Sequence, residues 1–440
     1  EEYKTLKTEV DEKNFDNKID LIFSINEGKK FIVDRINIYG NNITQENVIR
    51  NELLIDEGDE FNSILASKSI NNIQSLNIFK SVDSKIIDNT DNSKIIDITI
   101  EEKATGEIMA GAGVGTDGNT LSFAVKENNY LGRGIGLKSE LTVSDETIKG
   151  LFNVNNPNFR NSDKSINLNV QSLETDKLTD SGYKTNKTGF GFGTNFEYQD
   201  DLFIGLGQDS YYEKIETNSS ASARQKSQAG NYWDTFLNLD LNYDKRNQKF
   251  RPTDGFRSGY SVNLPIISEN NSLMNTYVFT FYDELYQDNV TKFSFFAKAA
   301  NSLTNDNIKL SERIYLPGSR LRGFVSGGVG PKDGNDFIGG NYASSVNIQT
   351  SIPQLLPNIQ NMDVSMFLDA GNVWGVDYDS SLNDTNKIRS SIGIGIDWYT
   401  LIGPLSASFT HPISKVNTDR TETFKFNLGT TFWYLKKIFF

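Results

Sequence analysis

Residues 236–244 read FLNLDLNYD, and their alternation decides the fold. Leu237, Leu239, Leu241 and Tyr243 stand in one phase, and Asn238, Asp240, Asn242 and Asp244 in the other. Successive side chains of a strand point to opposite faces, so one face of this segment meets an apolar phase and the other meets water. The pattern recurs in IGLKSELTV (135–143), INLNVQSL (166–173), SIGIGIDW (391–398) and TFKFNLGTTF (423–432). A soluble sandwich also alternates, but it needs a second apolar layer over these faces and charged residues outside. Many of these runs exceed the ~5–6 residues usual in soluble strands. Aromatics cluster at their ends, as in FFAKAAN (295–301), IDWYTLIG (396–403) and FWYLKKIFF (432–440). Long two-phase strands with aromatic ends are the pattern of a transmembrane β-barrel. About sixteen such segments run from Gly106 to Phe440, about 21 residues each with a connection, which suits strands of ~9–11 residues. The expected architecture is mainly β: a 16-stranded transmembrane barrel over residues 106–440, preceded by a small α+β domain.

Composition narrows the function. The chain has 440 residues, no Cys and one His, His411. That removes a disulfide scaffold, a thiolate metal site, a cysteine nucleophile and any imidazole pair, and His411 beside Pro412 reads as a structural or interfacial residue. The expectation is no catalytic residue, no metal, no cofactor and no enzyme. A net charge of −13 offers no overall basic footprint for nucleic acid. Charged or amide residues interrupt every apolar run, so no run approaches the ~20 apolar residues of a membrane helix. The chain opens on Glu1 with neither a basic n-region nor an apolar h-region, and the expectation is a processed or truncated piece.

Before the barrel, NKIDLIFSINE (17–27) reads as a strand, followed after Gly28 by a second with Ile32, Arg35, Ile36 and Ile38. Thr44 reads as the cap of a helix over QENVIRNELLI, and Asn62-Ser63 as the start of another whose apolar face is Ile64, Leu65, Ile70, Ile73 and Leu76. FKSVDSKII (79–87) and KIIDITIEE (94–102) alternate again. The order strand, helix, helix, strand, strand leaves a free sheet edge suited to an extended peptide.

Two stretches stand out as candidate sites. In GEIMAGAGVGTDGN (106–119), Gly113, Gly115 and Gly118 fit GxGxxG, but an alternating strand follows where a phosphate site needs a helix N-terminus. Glycine in a strand gives up packing and register, so this segment reads either as room for close packing or as a strand built to open. In RIYLPGSRLRGFVSGGVGPKDGNDFIGGN (313–341), a glycine-rich connection carries Arg320 and Arg322. A solvated tip is the ordinary reading. In MDVSMFLDAGNVW (362–374), however, Asp363, Ser365, Phe367 and Asp369 oppose Val364, Met366, Leu368 and Ala370, which aims Asp369 into the lumen, where an inward-folded arginine loop could pair with it.

LRGF (321–324), GPK (330–332), IGGN (338–341), LDAGNVW (368–374), YDKRNQKFRPTDGFRSGY (243–260) and IGPLSASFTHPI (402–413) together resemble the BamA branch of the outer-membrane assembly superfamily, as does the Phe-terminated tail. The preceding element order resembles that family's POTRA module. The resemblance implies one last POTRA domain at 29–102 in the periplasm and the end of a preceding one at 1–28, making the chain the C-terminal part of its protein. It implies assembly and insertion of β-barrel proteins into the bacterial outer membrane. It places Leu321, Arg322, Gly323 and Phe324 in a lumenal loop motif with Asp369 as ion-pair partner, and aligns a family glutamate with Gln349. The implied lateral seam joins the first strand, with Glu107, Gly111, Gly113 and Gly115, to the last, with Thr421, Phe424, Phe426, Leu428 and Phe432. Implied partners are unfolded outer-membrane proteins, periplasmic chaperones, accessory assembly lipoproteins and outer-membrane lipid, with no nucleic acid. The competing readings are a sister assembly factor or two-partner secretion transporter of the same superfamily, and a passive porin.

Overall fold

The computed structural model describes residues 6–15, 18–27, 31–89, 92–249, 251–269, 271–286, 289–304, 306–353, 355, 361–379, 381–382, 387–400 and 403–435. An antiparallel hairpin comes first, β1 (Leu6–Phe15) with β2 (Lys18–Glu27), paired from Leu6↔Glu27 to Phe15↔Lys18. The sequence had suggested a single strand here; the residues before it alternate too weakly to announce a partner.

The small domain comprises β3 (Ile32–Tyr39), α1 (Glu46–Arg50), α2 (Ser63–Ser75), β4 (Phe79–Asp88) and β5 (Ser93–Glu102), in the sheet order β3-β5-β4. Its core is aliphatic: Val33, Ile36, Ile49, Ile73, Val82, Ile96, Ile98 and Ile100 are all buried. Asn62 caps α2, its side chain accepting from the amides of Ile64 (2.9 Å) and Leu65 (3.2 Å). Two readings are corrected. Ile64 sits in the first turn of α2 and is exposed. Thr44 caps nothing: α1 starts after Gln45 without a side-chain cap, and the Thr44 hydroxyl accepts from Asn129 Nδ2 at 2.9 Å.

Sixteen strands close the barrel. They are β6 (Gly106–Gly115), β7 (Gly118–Tyr130), β8 (Ile135–Ser144), β9 (Thr147–Asn156), β10 (Ser165–Lys177), β11 (Tyr183–Gln199), β12 (Leu202–Thr217), β13 (Gly230–Asp244), β14 (Gly255–Ile267), β15 (Ser272–Tyr286) and β16 (Asn289–Ser302), then β19 (Tyr342–Ser351), β20 (Met362–Trp374), β21 (Arg389–Thr400), β22 (Gly403–Ser414) and β23 (Phe424–Leu435). The two-residue strands β17 (Lys332–Asp333) and β18 (Asp336–Phe337) form a small hairpin in the connection from β16 to β19. All neighbours within the barrel are antiparallel, and β23 pairs back onto β6. Several strands are longer than expected, up to the 17 residues of β11.

The wall is apolar outside. Leu121, Phe192 and Phe409 are 63%, 51% and 57% exposed, and Leu141, Phe152, Val170, Leu206, Leu237, Met366, Leu368 and Ile394 join them. A continuous apolar surface of this size is foreign to a monomer in water; its fitting solvent is hydrocarbon. Across the alternation, Asp234, Asn347, Ser365, Asp369 and Ser391 are buried on the inside. Toward one end, the outer face carries an aromatic belt in which Tyr243–Phe256, Phe256–Phe279 and Phe279–Phe293 lie 5.6, 6.0 and 6.4 Å apart, as expected where a barrel crosses a membrane interface.

The small domain caps that end, hereafter the near end. The Gln45 amide donates to the Gly132 carbonyl (2.8 Å), and Asn47 Nδ2 to Asn161 Oδ1 (3.0 Å). Gly132, at φ +69°, approaches so closely that a Cβ there would lie 2.0 Å from the Ile43 carbonyl oxygen. Beside this contact Glu102 accepts from the amides of Ile43 (2.9 Å) and Thr44 (2.6 Å). Burial opposes the Glu102 charge, but these hydrogen bonds and that of the Thr44 hydroxyl outweigh it and hold the carboxyl below its usual range.

Candidate functional site

The connection from β16 to β19 folds into the barrel. Ile308, Ile314, Leu316, Leu321, Phe324 and Val329 form a buried cluster against Ala300, Ala343 and Val373 of the wall. Small residues on the wall leave the space that these side chains fill. The isolated bridges Ile314↔Gly340 and Phe324↔Thr421 pin the segment at two places.

Arg322 projects from this segment onto β20. Its Nε and Nη2 donate to Asp369 Oδ2 (2.7 Å) and Oδ1 (2.8 Å), and its own amide donates to Oδ2 at 3.1 Å. Nη1 donates to Gln349 Oε1 on β19 (3.0 Å), and Gln349 Nε2 donates to Ser365 Oγ (3.0 Å). The guanidinium lies 3.4 Å from the Phe367 ring centroid, and Ser391 Oγ on β21 donates to the Arg322 carbonyl. The fork geometry matches a carboxylate through two parallel bonds and leaves a flat face for the ring. Asp369 is fully buried, so its charge depends on these three donors. Its place follows from alternation: Asp369, Phe367 and Ser365 share the inward phase of β20, while Leu368 and Met366 are exposed outside. Gly323 takes φ +87°, and a Cβ there would lie 2.6 Å from Thr410 Cγ2; Leu321 and Phe324 are buried on either side.

The residues assigned to the seam fall in two groups. Gly111, Gly113 and Gly115 face Thr431, Gly429 and Asn427 across β6 and β23, and Leu428 faces Val114. Glu107 faces Lys126 on β7. Phe424 stacks on Phe409 at 4.8 Å, and the Phe426 carbonyl accepts from the Thr116 amide at 3.0 Å. Phe432 falls at a register shift between Thr431 and Trp433, with its side chain outside the described residues. Thr421 is not part of the last strand, which begins at Phe424; it bridges instead to Phe324 of the arginine loop.

The seam is closed, with eight register pairs between β23 and β6, where the glycine content had suggested poor pairing. Glycine lacks a side chain but keeps its backbone donor and acceptor, and at Gly115 it permits close approach: a Cβ would lie 2.7 Å from the Phe426 carbonyl oxygen. On its other side β23 shares five described register pairs with β22. Gly113, Gly115 and Gly118 lie in the β6–β7 hairpin, with no helix after them.

A second charged centre was not foreseen. Lys309 is buried with Asp234, Glu213 (3.6 Å) and Glu312 (3.2 Å), and Ser272 donates to Glu312. Burial pushes the Glu312 carboxyl up despite the Lys309 charge; the surrounding carboxylates more than offset desolvation of Lys309 and raise its ammonium. The inward phase of β13 could have flagged Asp234, but only contact reveals a lysine from a distant loop. His411 is exposed on β22, in the outward phase of Phe409 and Ile413.

Comparison with known proteins gives a consistent pattern. The family model described as Omp85 superfamily domain matches residues 129–432, and POTRA, described as surface antigen variable number repeat, matches 31–103. Outer membrane protein assembly factor BamA of Neorickettsia risticii (strain Illinois) is 24% identical over 428 residues, covering 94% of this chain and 57% of the relative. The BamA of Neisseria meningitidis serogroup B is 24% identical over 473 residues, covering 94% and 58%. The chain thus spans a little over half the length of these relatives. Among solved structures, BamA from Haemophilus ducreyi lacking POTRA domains 1–3 superposes with a TM-score of 0.80 at 22% identity, covering 97% of this chain and 90% of that one. CdiB from Acinetobacter baumannii superposes at 0.56 with 12% identity, covering 94% and 76%.

Proposed function

The chain belongs to the Omp85 superfamily, and from that premise we propose that it assembles other β-barrel proteins into the bacterial outer membrane, with its POTRA domain in the periplasm. The relatives named as outer membrane protein assembly factors support this reading over 94% of the chain. The observation that carries the mechanism is the β6–β23 junction, where the two ends of the barrel sequence meet. A closed barrel has no free edge. If this junction parts, two edges become available, and an incoming strand can satisfy its backbone there before it meets hydrocarbon, where each unpaired group costs several kcal/mol. Such templating lowers the insertion barrier by supplying hydrogen-bond partners, without covalent chemistry, and the protein acts as an assembly factor and not as an enzyme.

The seam residues are Glu107, Gly111, Gly113 and Gly115 on the first strand and Phe424, Phe426, Leu428 and Phe432 on the last. Arg322 and Asp369 hold the loop that fills the lumen and reaches the segment leading into β23. The free edge of β4 in the periplasmic sheet suits pairing with unfolded substrates delivered by chaperones, and the same domain suits docking of accessory lipoproteins. A lumen occupied by a packed apolar cluster disfavours the passive porin, and the higher TM-score against BamA than against CdiB favours assembly over two-partner secretion.

The test is complementation. In a strain depleted of its own protein, the full-length gene carrying Arg322→Ala should give falling levels of folded outer-membrane barrels and slowed growth. Unchanged growth and an unchanged barrel profile would contradict the role given to the loop.

A further inference from the structure

At its far end the seam is crossed by side chains as well as backbone. Lys425, second residue of β23, pairs through Nζ with Asp117 Oδ2 at 2.5 Å, and Asp117 lies in the β6–β7 turn on the other side of the junction. The arginine loop passes directly against this cation: a Cβ on Gly318 would lie 2.5 Å from Lys425 Nζ. Gly318 does not take a positive φ, so its backbone does not require glycine. What the missing side chain leaves open is the position of the ammonium.

The same loop grips the segment that leads into β23. Val325 N donates to the Arg420 carbonyl (3.0 Å), Arg420 N to the Gly328 carbonyl (2.9 Å) and Glu422 N to the Gly323 carbonyl (2.9 Å). These three bonds add to the five register pairs, Phe424↔Phe409 to Leu428↔Leu405, by which β22 holds the same leading end of β23. On the β6 side, the corresponding ties are the Lys425–Asp117 pair and the Thr116 amide on the Phe426 carbonyl. The start of the last strand is therefore bound to the loop and to β22 by backbone, and to the first hairpin by the Thr116–Phe426 bond, the pairs Asn427↔Gly115 and Leu428↔Val114, and one ion pair that the loop passes against.

We infer that Lys425 is the clasp of the seam: it holds the far end of β23 against Asp117 only while the arginine loop keeps Gly318 against it, so loop displacement and seam opening are a single event. Opening then carries β23 with the loop and leaves β6 and Asp117 behind. The clasp rests on the seam-opening reading above.

Spin-label distance measurement on the full-length protein in lipid vesicles tests it. Leu121→Cys on β7 and Ile413→Cys on β22 place labels on exposed outward positions flanking the seam, and this chain contributes no native cysteine. Lys425→Glu and Asp117→Lys should each raise the long-distance population roughly two- to fivefold, the range set by a partly exposed ion pair. The double charge swap should bring it back to the starting value, which a fold defect would not do. Gly318→Val, with both charges intact, should match Lys425→Ala. Raising salt from about 0.1 M to about 1 M should open the parent protein but not Lys425→Ala. Equal distance distributions in all variants, with a parent seam that does open, overturn the clasp alone. A seam shut in every protein, while the same vesicles assemble a barrel substrate, overturns the seam-opening reading and the clasp with it.

Discussion

Arg322 joins β19 and β20 through its side chain and β21 through its backbone carbonyl, and that sets what substitutions there do. Asp369 is wholly buried and takes all three of its Arg322 donors from a single residue. Arg322→Ala leaves that carboxylate without its counter-charge, a loss of about 3–5 kcal/mol by analogy with other broken buried pairs. Arg322→Lys keeps the charge but loses the fork and the stacking on Phe367, and should fall between the two when the temperature of the folded-to-unfolded gel shift is measured. Gln349→Glu should raise that temperature, because it replaces a neutral acceptor with a charged one 3.0 Å from Nη1; a lower temperature would refute the assignment. The inward aim of Asp369 was legible from alternation alone, and its pairing with Arg322 from the family resemblance. The Ser391 bond to the Arg322 carbonyl was not legible, because nothing in a sequence says which strand a loop will cross.

Among elements, the strands announced themselves and the connections did not. Two-phase segments such as FLNLDLNYD marked barrel strands without a homologue, since alternation is imposed by two solvents at once. The hairpin strand β1 escaped because too few of its residues are periodic to rise above their surroundings, and the helix read over QENVIRNELLI shrinks to the single turn of α1. Lys309 shows the same limit: it lies outside any strand, yet it supplies the buried charge that three carboxylates surround. Lys309→Met should release the segment before Arg313 and make it cleavable by protease added to the outside of intact cells, whereas continued resistance would mean that the apolar cluster alone holds it. The near-end contact carries a pH dependence. Glu102 has its carboxyl held below the ordinary value of 4.5, so its stabilisation is complete above that value and is lost as pH falls through the lower, folded one. Protection of the Ile43 and Thr44 amides from hydrogen exchange, referred to the intrinsic rate at each pH, should fall on acidification in the parent protein, and Glu102→Gln should show low protection at every pH.

For the whole molecule, function turns on whether the barrel must open where its ends meet. The seam offers a direct test because its glycines leave room for a cross-link. Gly113 and Gly429 face each other across β6 and β23; a Cβ on Gly429 meets nothing within 4 Å, and one on Gly113 meets nothing nearer than 3.8 Å. Facing residues of an antiparallel pair are ~4.5–5.5 Å apart at Cα, within the span a disulfide accepts. The deciding measurement is the rate at which the full-length Gly113→Cys, Gly429→Cys protein, oxidised in vesicles, inserts an unfolded barrel substrate. Insertion should stop in the oxidised protein, recover on reduction and stay normal in each single-cysteine control; insertion at the parent rate with the seam fully cross-linked would contradict the account.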